Sequence, residues 1–130
     1  MNIYQEELLD HVKNPRNYGK LDSSTQSEDS NPACGDSVKI YLKFSDNDVL
    51  EEVSFEGTGC AVSQGAASIL TEEIKGKNVT ELKKMTEDDF LSIIGIELSP
   101  SRKKCAFVSF KAMKQAIVSY EAILHDGSSE

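Results

Sequence analysis

Apolar residues change their period several times along the chain, and each change marks an element. Tyr4, Leu8 and Val12 recur every fourth position with Leu9 beside them, which predicts an amphipathic helix over about residues 2–13. Asn14 should end it, because the residue before a proline, here Pro15, is pushed out of helical geometry. His11 lies in the last turn of that helix, where it is expected to be solvated or to face the negative end of the helix dipole. From Pro15 to Ala33 no period is sustained and Gly, Ser, Asp and Asn dominate, so about 15–33 reads as a long mobile loop. Loops of such length in small domains tend to carry function, and this one leads directly to Cys34.

Val38, Ile40, Leu42 and Phe44 then alternate with Lys39, Tyr41 and Lys43, the period of a strand with one buried face. After the turn Ser45–Asp48, Val53 and Phe55 alternate with Glu52 and Ser54, which completes an antiparallel hairpin ending at Gly57, Thr58 and Gly59. Beyond Cys60 the period becomes helical through Val62, Ala66, Ile69, Leu70 and Ile74, with a stop at Gly76. Thr86 and Asp89 form a capping box before a short helix that closes at Gly95. Ser99 and Pro100 suit the N-cap and first position of a long last helix, whose Ala106, Phe110, Met113, Ile117, Tyr120 and Leu124 form a core stripe. The tail from about 125 to 130 is expected to be solvated and frayed.

Composition narrows the functional classes. The 130 residues, 38% of them apolar, suffice for a single domain over 1–130, with no repeat or linker. Fourteen basic against 22 acidic residues leave a net charge of −8, which repels phosphate backbones and argues against nucleic acid as a partner. No run approaches the ~18 to 20 apolar residues of a membrane helix, and the N-terminus lacks the basic and apolar regions of a signal peptide, so a cytoplasmic protein with no membrane partner is expected. His11 and His125 are the only histidines, and neither stands in a convincing context for a thiol hydrolase.

Three cysteines are an odd number, and Cys34, Cys60 and Cys105 lie too far apart for a self-contained disulfide framework. Each stands on a turn or an element end: Cys34 in NPACGD, two residues from Asp36; Cys60 between GTG and a helix start; Cys105 after Arg102, Lys103 and Lys104 near the start of the last helix. Helix N-termini and basic neighbours favour thiolate, the form that both binds metal and attacks sulfur. If the hairpin and the last helix bring these ends together, three sulfurs and one carboxylate converge. Thiolates select zinc, copper(I) or iron–sulfur species, and a carboxylate adds a harder, more labile donor. No CxxC pair is present, which disfavours a permanent structural zinc.

HVKNPRNYGKL, NPACGD, GTGCAVSQGAAS followed by KGK, and KKC opening a long helix occur in that order, and together they resemble the U-type iron–sulfur scaffold family of IscU, SufU and the N-terminal domain of NifU. The resemblance runs from about Ile3 to Tyr120. It implies an α+β fold, a small antiparallel three-stranded sheet with helices packed on it, including a third strand that the periodicity does not indicate. It also implies a scaffold that takes persulfide sulfur from a cysteine desulfurase and iron from an iron donor, builds a transient 2Fe–2S cluster, and passes it to apo-proteins. Cys34, Asp36, Cys60 and Cys105 then correspond to the cluster or metal ligands, the three cysteines being candidate persulfide acceptors.

Two positions depart from the IscU branch. Lys104 stands where that branch carries histidine, as in SufU-like members, yet the interval from Cys60 to Cys105 has the shorter IscU-like length. Lys104 is a surface charge or a candidate neighbour of the site, either a thiolate-stabilising charge beside Cys105 or a displaceable cap. At Leu98–Arg102 the chain reads LSPSR in place of LPPVK, the docking segment for a specialised Hsp70 chaperone, so that partner is not carried over. The alternative function is a zinc-bound sulfurtransferase that accepts persulfide without housing a cluster. A structural zinc or interaction module is the third reading.

Overall fold

The structure, a computed structural model, describes residues 2–33 and 35–128. Asn2 caps the first helix, α1 (Ile3–Lys13), in a reciprocal box with Gln5, and Asn14 ends it as predicted. Three strands follow, β1 (Thr25–Asn31), β2 (Asp36–Phe44) and β3 (Leu50–Thr58), in an antiparallel sheet of order β1-β2-β3. Among the described residues four helices follow: α2 (Ala61–Ile74), α3 (Val79–Lys84), α4 (Glu87–Ile94) and α5 (Pro100–Ser128). Among the described residues no helix is long and apolar enough to cross a membrane.

The hairpin has the predicted register. Ile40 lies opposite Phe55 and Leu42 opposite Val53, and Val38, Ile40, Leu42 and Phe55 are fully buried on one face of the sheet. Against that face pack α2, through Ala66, Ala67, Leu70 and Ile74, and α5, through Ala106, Phe110, Met113 and Ile117. Burying each large side chain contributes about 1.5–3 kcal/mol, so this layer supplies much of the drive to fold. Near the end of the stripe Tyr120 stacks on Phe44 at 4.1 Å and donates to Asp48 Oδ1, which ties α5 to the hairpin turn. Two elements escape the periodic pattern: α3 is under two turns and is set by the Asn78 cap on Glu81, and the segment from about 125 continues α5 as far as Ser128.

The segment about 15–33, expected as a mobile loop, is largely anchored. Residues 25–31 form β1, the strand implied by the family resemblance. Its sequence TQSEDSN is polar throughout and carries no apolar alternation, so the ladder to β2 and side-chain contacts to α5 hold it instead. Ser27 donates to Gln115 Oε1 at 3.0 Å, and Gln115 Nε2 donates to Asp29 Oδ1 at 3.3 Å. Upstream, Asn17 O accepts from Phe55 N at 2.9 Å and Gly19 N donates to Phe55 O at 2.8 Å, stitching the segment beside β3.

His11 is a second correction, being buried rather than solvated: 6% of its surface is exposed and Nδ1 lies 2.7 Å from Ser68 Oγ on α2. The same hydroxyl accepts from Arg16 N at 2.8 Å, so Ser68 joins α1, the segment after it and α2. Helix α1 reaches α2 this closely because residue 65 is glycine; a Cβ there would stand 2.6 Å from Leu8 and 2.8 Å from Val12 side chains.

Burial disfavours the imidazolium and pushes the His11 pKa below 6.5; the Arg16 charge acts in the same direction, against the Glu7, Asp10 and Glu72 carboxylates. The unfolded chain therefore binds a proton that the folded chain resists, and stability falls as pH drops below 6.5. His11→Gln is expected to flatten that slope between about pH 6.5 and 5, where histidine titrates. Urea unfolding across this range checks it; an unchanged slope would assign the proton uptake to other groups.

Candidate metal centre

Asp36 opens β2 directly after the turn in which Gly35 N donates to Pro32 O at 3.4 Å. Only 1% of its surface is exposed. Burial alone raises a carboxyl pKa, but donors outweigh it here: the Cys105 thiol, the Cys60 amide and the Cys60 thiol lead in holding Asp36 below its usual 3.8. At neutral pH it is a buried carboxylate ringed by donors.

Cys60 reaches Asp36 because Gly59 lets the chain pass. Gly59 has φ +128°, and a Cβ at that position would stand 2.2 Å from Asp36 Oδ1 and 2.7 Å from Asp36 Cα. Cys60 N then donates to Asp36 Oδ1 at 2.8 Å, while Cys60 Sγ lies 3.8 Å from Oδ2. Cys60 is the N-cap of α2, the helix start at which its sequence context places it, and the structure leaves it exposed. Gln64, one turn into α2, donates to Thr58 O at 3.1 Å and Ser63 donates to Cys60 O at 3.0 Å, so the end of β3 and the start of α2 are held as one unit. Serine three residues after an N-cap is the sequence signal for this support; Gln64 gives none.

Cys105 arrives from α5. It lies in the second turn rather than at the terminus, so the helix dipole, which fades after the first turn, acts on it less than its sequence context suggests. It is buried, with 5% exposed, and its thiol meets Asp36 instead. One donor atom each from Asp36, Cys60 and Cys105 lies within 4.8 Å of the others. Around a tetrahedral ion with bonds of about 2.0–2.3 Å, donors stand about 3.3–3.8 Å apart. A contraction of about 1 Å brings these three onto one ion, and two soft sulfurs with one hard oxygen suit zinc or iron.

Of the residues singled out in the sequence, Asp36, Cys60 and Cys105 thus meet. Cys34 lies outside the described residues. Lys104 is exposed. A cavity of about 530 Å³ opens beside Cys60 and Cys105, with Leu8, Val12 and Val62 among its apolar walls and Arg102 as its cation. That arginine is the first of the basic run Arg102–Lys104 that the sequence places before Cys105.

Known proteins match this architecture. The profile of the NifU-like N terminal domain family matches residues 3–126. The zinc-dependent sulfurtransferase SufU of Bacillus subtilis is 33% identical over 136 aligned positions, covering 92% of each chain. The iron-sulfur cluster assembly scaffold protein IscU of Escherichia coli K12 is 32% identical over 123 positions, covering 92% of this chain and 94% of its own. A crystal structure of FiSufU from Fervidobacterium islandicum superposes with a TM-score of 0.73 at 27% identity, covering 90% of this chain and 96% of that one.

Gly59→Ala tests the backbone contact that builds the centre. Both Gly59 and Gly76 have positive φ, but Gly76 has open space around its Cβ position, so Gly76→Ala isolates the conformational cost, about 1 kcal/mol. Gly59→Ala is expected to cost at least about 2 kcal/mol more, because Asp36 must be displaced. Urea midpoints of the two variants check this, and equal losses would remove the contact from the account.

Proposed function

The chain belongs to the NifU-like N-terminal domain family, and from that membership we propose that it is an iron–sulfur cluster assembly scaffold, folded as one unit over 1–130. The observation that carries the reading is the meeting of Asp36, Cys60 and Cys105 at the joined ends of β2, β3 and α5. Cys34, two residues before Asp36 in NPACGD, is proposed as the third thiolate, giving a set of three sulfurs and one oxygen. The cargo is a transient cluster, 2Fe–2S in this reading, assembled from iron and from persulfide sulfur that an external electron donor, such as a free thiol, reduces by two electrons to sulfide, and then handed to apo-proteins.

The sulfur step needs no external oxidant. A thiolate of the chain attacks the terminal sulfur of a persulfide on a cysteine desulfurase; the new S–S bond forms as the old one breaks, and the donor cysteine leaves as thiolate. Of the two described thiols, Cys60 is exposed and Cys105 buried, which makes Cys60 the one that an incoming persulfide can reach. Asp36 is the hard ligand among soft ones, so it is the bond most readily given up when cargo leaves. Arg102 lines the cavity beside Cys60 and Cys105, where its charge favours anionic sulfur; the exposed Lys104, next to Cys105 in the chain, is proposed as a further neighbour of the site.

A zinc-bound sulfurtransferase is the second reading, favoured by the similarity to the Bacillus protein of that name and by Lys104 in the place of the IscU histidine. The donor set suits zinc, held by Asp36 and the cysteine sulfurs, and zinc would keep the thiolates deprotonated. Both readings use the same residues and differ in cargo.

Anaerobic incubation with ferrous iron, cysteine and a desulfurase separates them. A scaffold develops visible sulfur-to-iron charge-transfer absorption that Cys60→Ser and Cys105→Ser each abolish; wild-type absorption no stronger than the variants refutes it. Persulfide adducts without cluster, together with stoichiometric zinc, establish the sulfurtransferase. For the scaffold, Asp36→Ala is expected to slow cluster transfer to an apo-ferredoxin, because the donors that remain are thiolates, which release iron less readily than a carboxylate. Transfer at the wild-type rate would remove Asp36 from release.

A further inference from the structure

At the opposite end of α2 from Cys60 the surface opens into three cavities that share Ser92. One, of about 340 Å³, is lined by Glu7 and His11 of α1, Glu72 and Glu73 of α2, and Ile93 of α4. The second, about 480 Å³, shares Glu73, Ser92 and Ile93 with the first and extends to Glu81, Met85 and Asp89. The third, about 530 Å³, runs the other way along α4 past Asp88 and Leu91 to Tyr4 and Ile96. The first two overlap through Glu73, Ser92 and Ile93 to make one groove, and the third adjoins it across the exposed Ser92; Ile69, Met85, Leu91, Ile93 and Ile96 supply the apolar lining.

The rim of this groove has one dominant sign. Glu7, Glu72, Glu73, Glu81, Asp88 and Asp89 surround it, against Lys77 and Lys84. The direct ion pairs of the described residues lie elsewhere, at Asp10–Arg16, Lys43–Glu52 and Lys83–Glu121; Asp89 feels the Lys114 charge and Glu81 accepts from Asn78, while Glu7, Glu73 and Asp88 make none of these pairs. Six carboxylates against two lysines leave an excess of negative charge here, which a cationic occupant would complement.

Three classes of occupant are excluded by chemistry. Nucleic acids and anionic membranes carry the same sign as the rim. A bound metal needs donors that converge on a point, and among the described residues the group with that spacing is Asp36, Cys60 and Cys105. A floor of aliphatic side chains between acidic walls suits a helix or strand that presents apolar residues inward and Lys or Arg outward.

We propose that this groove is a docking site for a basic amphipathic segment of a partner protein. From Cys60 to Glu72 along α2 is about 18 Å at the helical rise of about 1.5 Å per residue. A partner seated there leaves the thiol end uncovered, so it can remain bound while cargo enters and leaves. The proposal does not rest on the identity of that cargo.

A fluorescent Leu/Lys amphipathic helical peptide, titrated into the full-length protein and followed by anisotropy, tests it, with a Leu/Glu peptide of the same pattern as the control. The triple variant Glu7→Gln, Glu73→Gln, Asp88→Asn is expected to weaken Leu/Lys binding about tenfold, the sum of three modest charge contacts. A second triple variant, Glu28→Gln, Glu51→Gln, Glu97→Gln, has the same net charge and alters exposed carboxylates outside the groove; it is expected to change binding about twofold or less. Amide resonances of Ser92 and Ile93 should shift on titration. Equal losses in the two triple variants, equal binding of the Leu/Glu peptide, or shifts centred on Cys60 and Arg102 would each overturn the assignment.

Discussion

The contact on which the reactive end depends is the hydrogen bond from Cys60 N to Asp36 Oδ1, made at 2.8 Å across a glycine. It joins the first residue of β2 to the first turn of α2, two points separated by the whole hairpin. With it in place, the exit of β3, the start of α2 and the second turn of α5 have one common focus, and a carboxylate with 1% of its surface exposed is satisfied rather than stranded. Without it, Asp36 would be a buried charge with weaker donors, and the two described thiols would lose their shared neighbour. Ser63 and Gln64 brace the same corner from the helix side.

Much of this was legible in the sequence, for physical reasons. Alternation in Val38–Phe44 and Val53–Phe55 fixed one buried sheet face, because a shift by one residue would have turned lysines and glutamates into the core. The glycines and caps at element ends placed Cys60 correctly as an N-cap. Strand β1 was not legible from its residues: a strand covered by Gln115 and paired along one edge needs hydrogen-bonding side chains rather than apolar ones. His11 was misread for a related reason. A histidine near a helix end is ordinarily exposed, and only the packing of α1 onto Gly65 and Ser68 of α2 buries it.

The same clamp has a consequence for the segment that precedes Cys34. Ser68 holds Arg16 N, Thr71 meets Asn17, and Phe55 brackets Asn17 and Gly19 through its backbone, so the chain leaves α1 in a fixed direction. It is fixed again from Thr25 to Asn31 by the ladder to β2. The polar, loop-like composition of 15–33 therefore encodes a route along the sheet, and its freedom is confined to the short stretches between these anchors. What composition predicted as mobility is mostly polar anchoring.

Metal or cluster ligation at this centre, as proposed, also has a proton balance. Asp36 is held ionised by its donors, so it needs no deprotonation, whereas cysteine binds metal as thiolate. The hydrogen bonds that the two thiols make to Asp36 use the protons that ligation removes. Asp36, Cys60 and Cys105 would hold an ion in place of the S–H···O contacts, and the Cys60 amide, which donates to Oδ1, would still orient the carboxylate. The empty and loaded states can therefore share one backbone, with protons exchanged for the cation. A carrier that must load and unload repeatedly is served by such an exchange, because little folding energy is spent on each cycle.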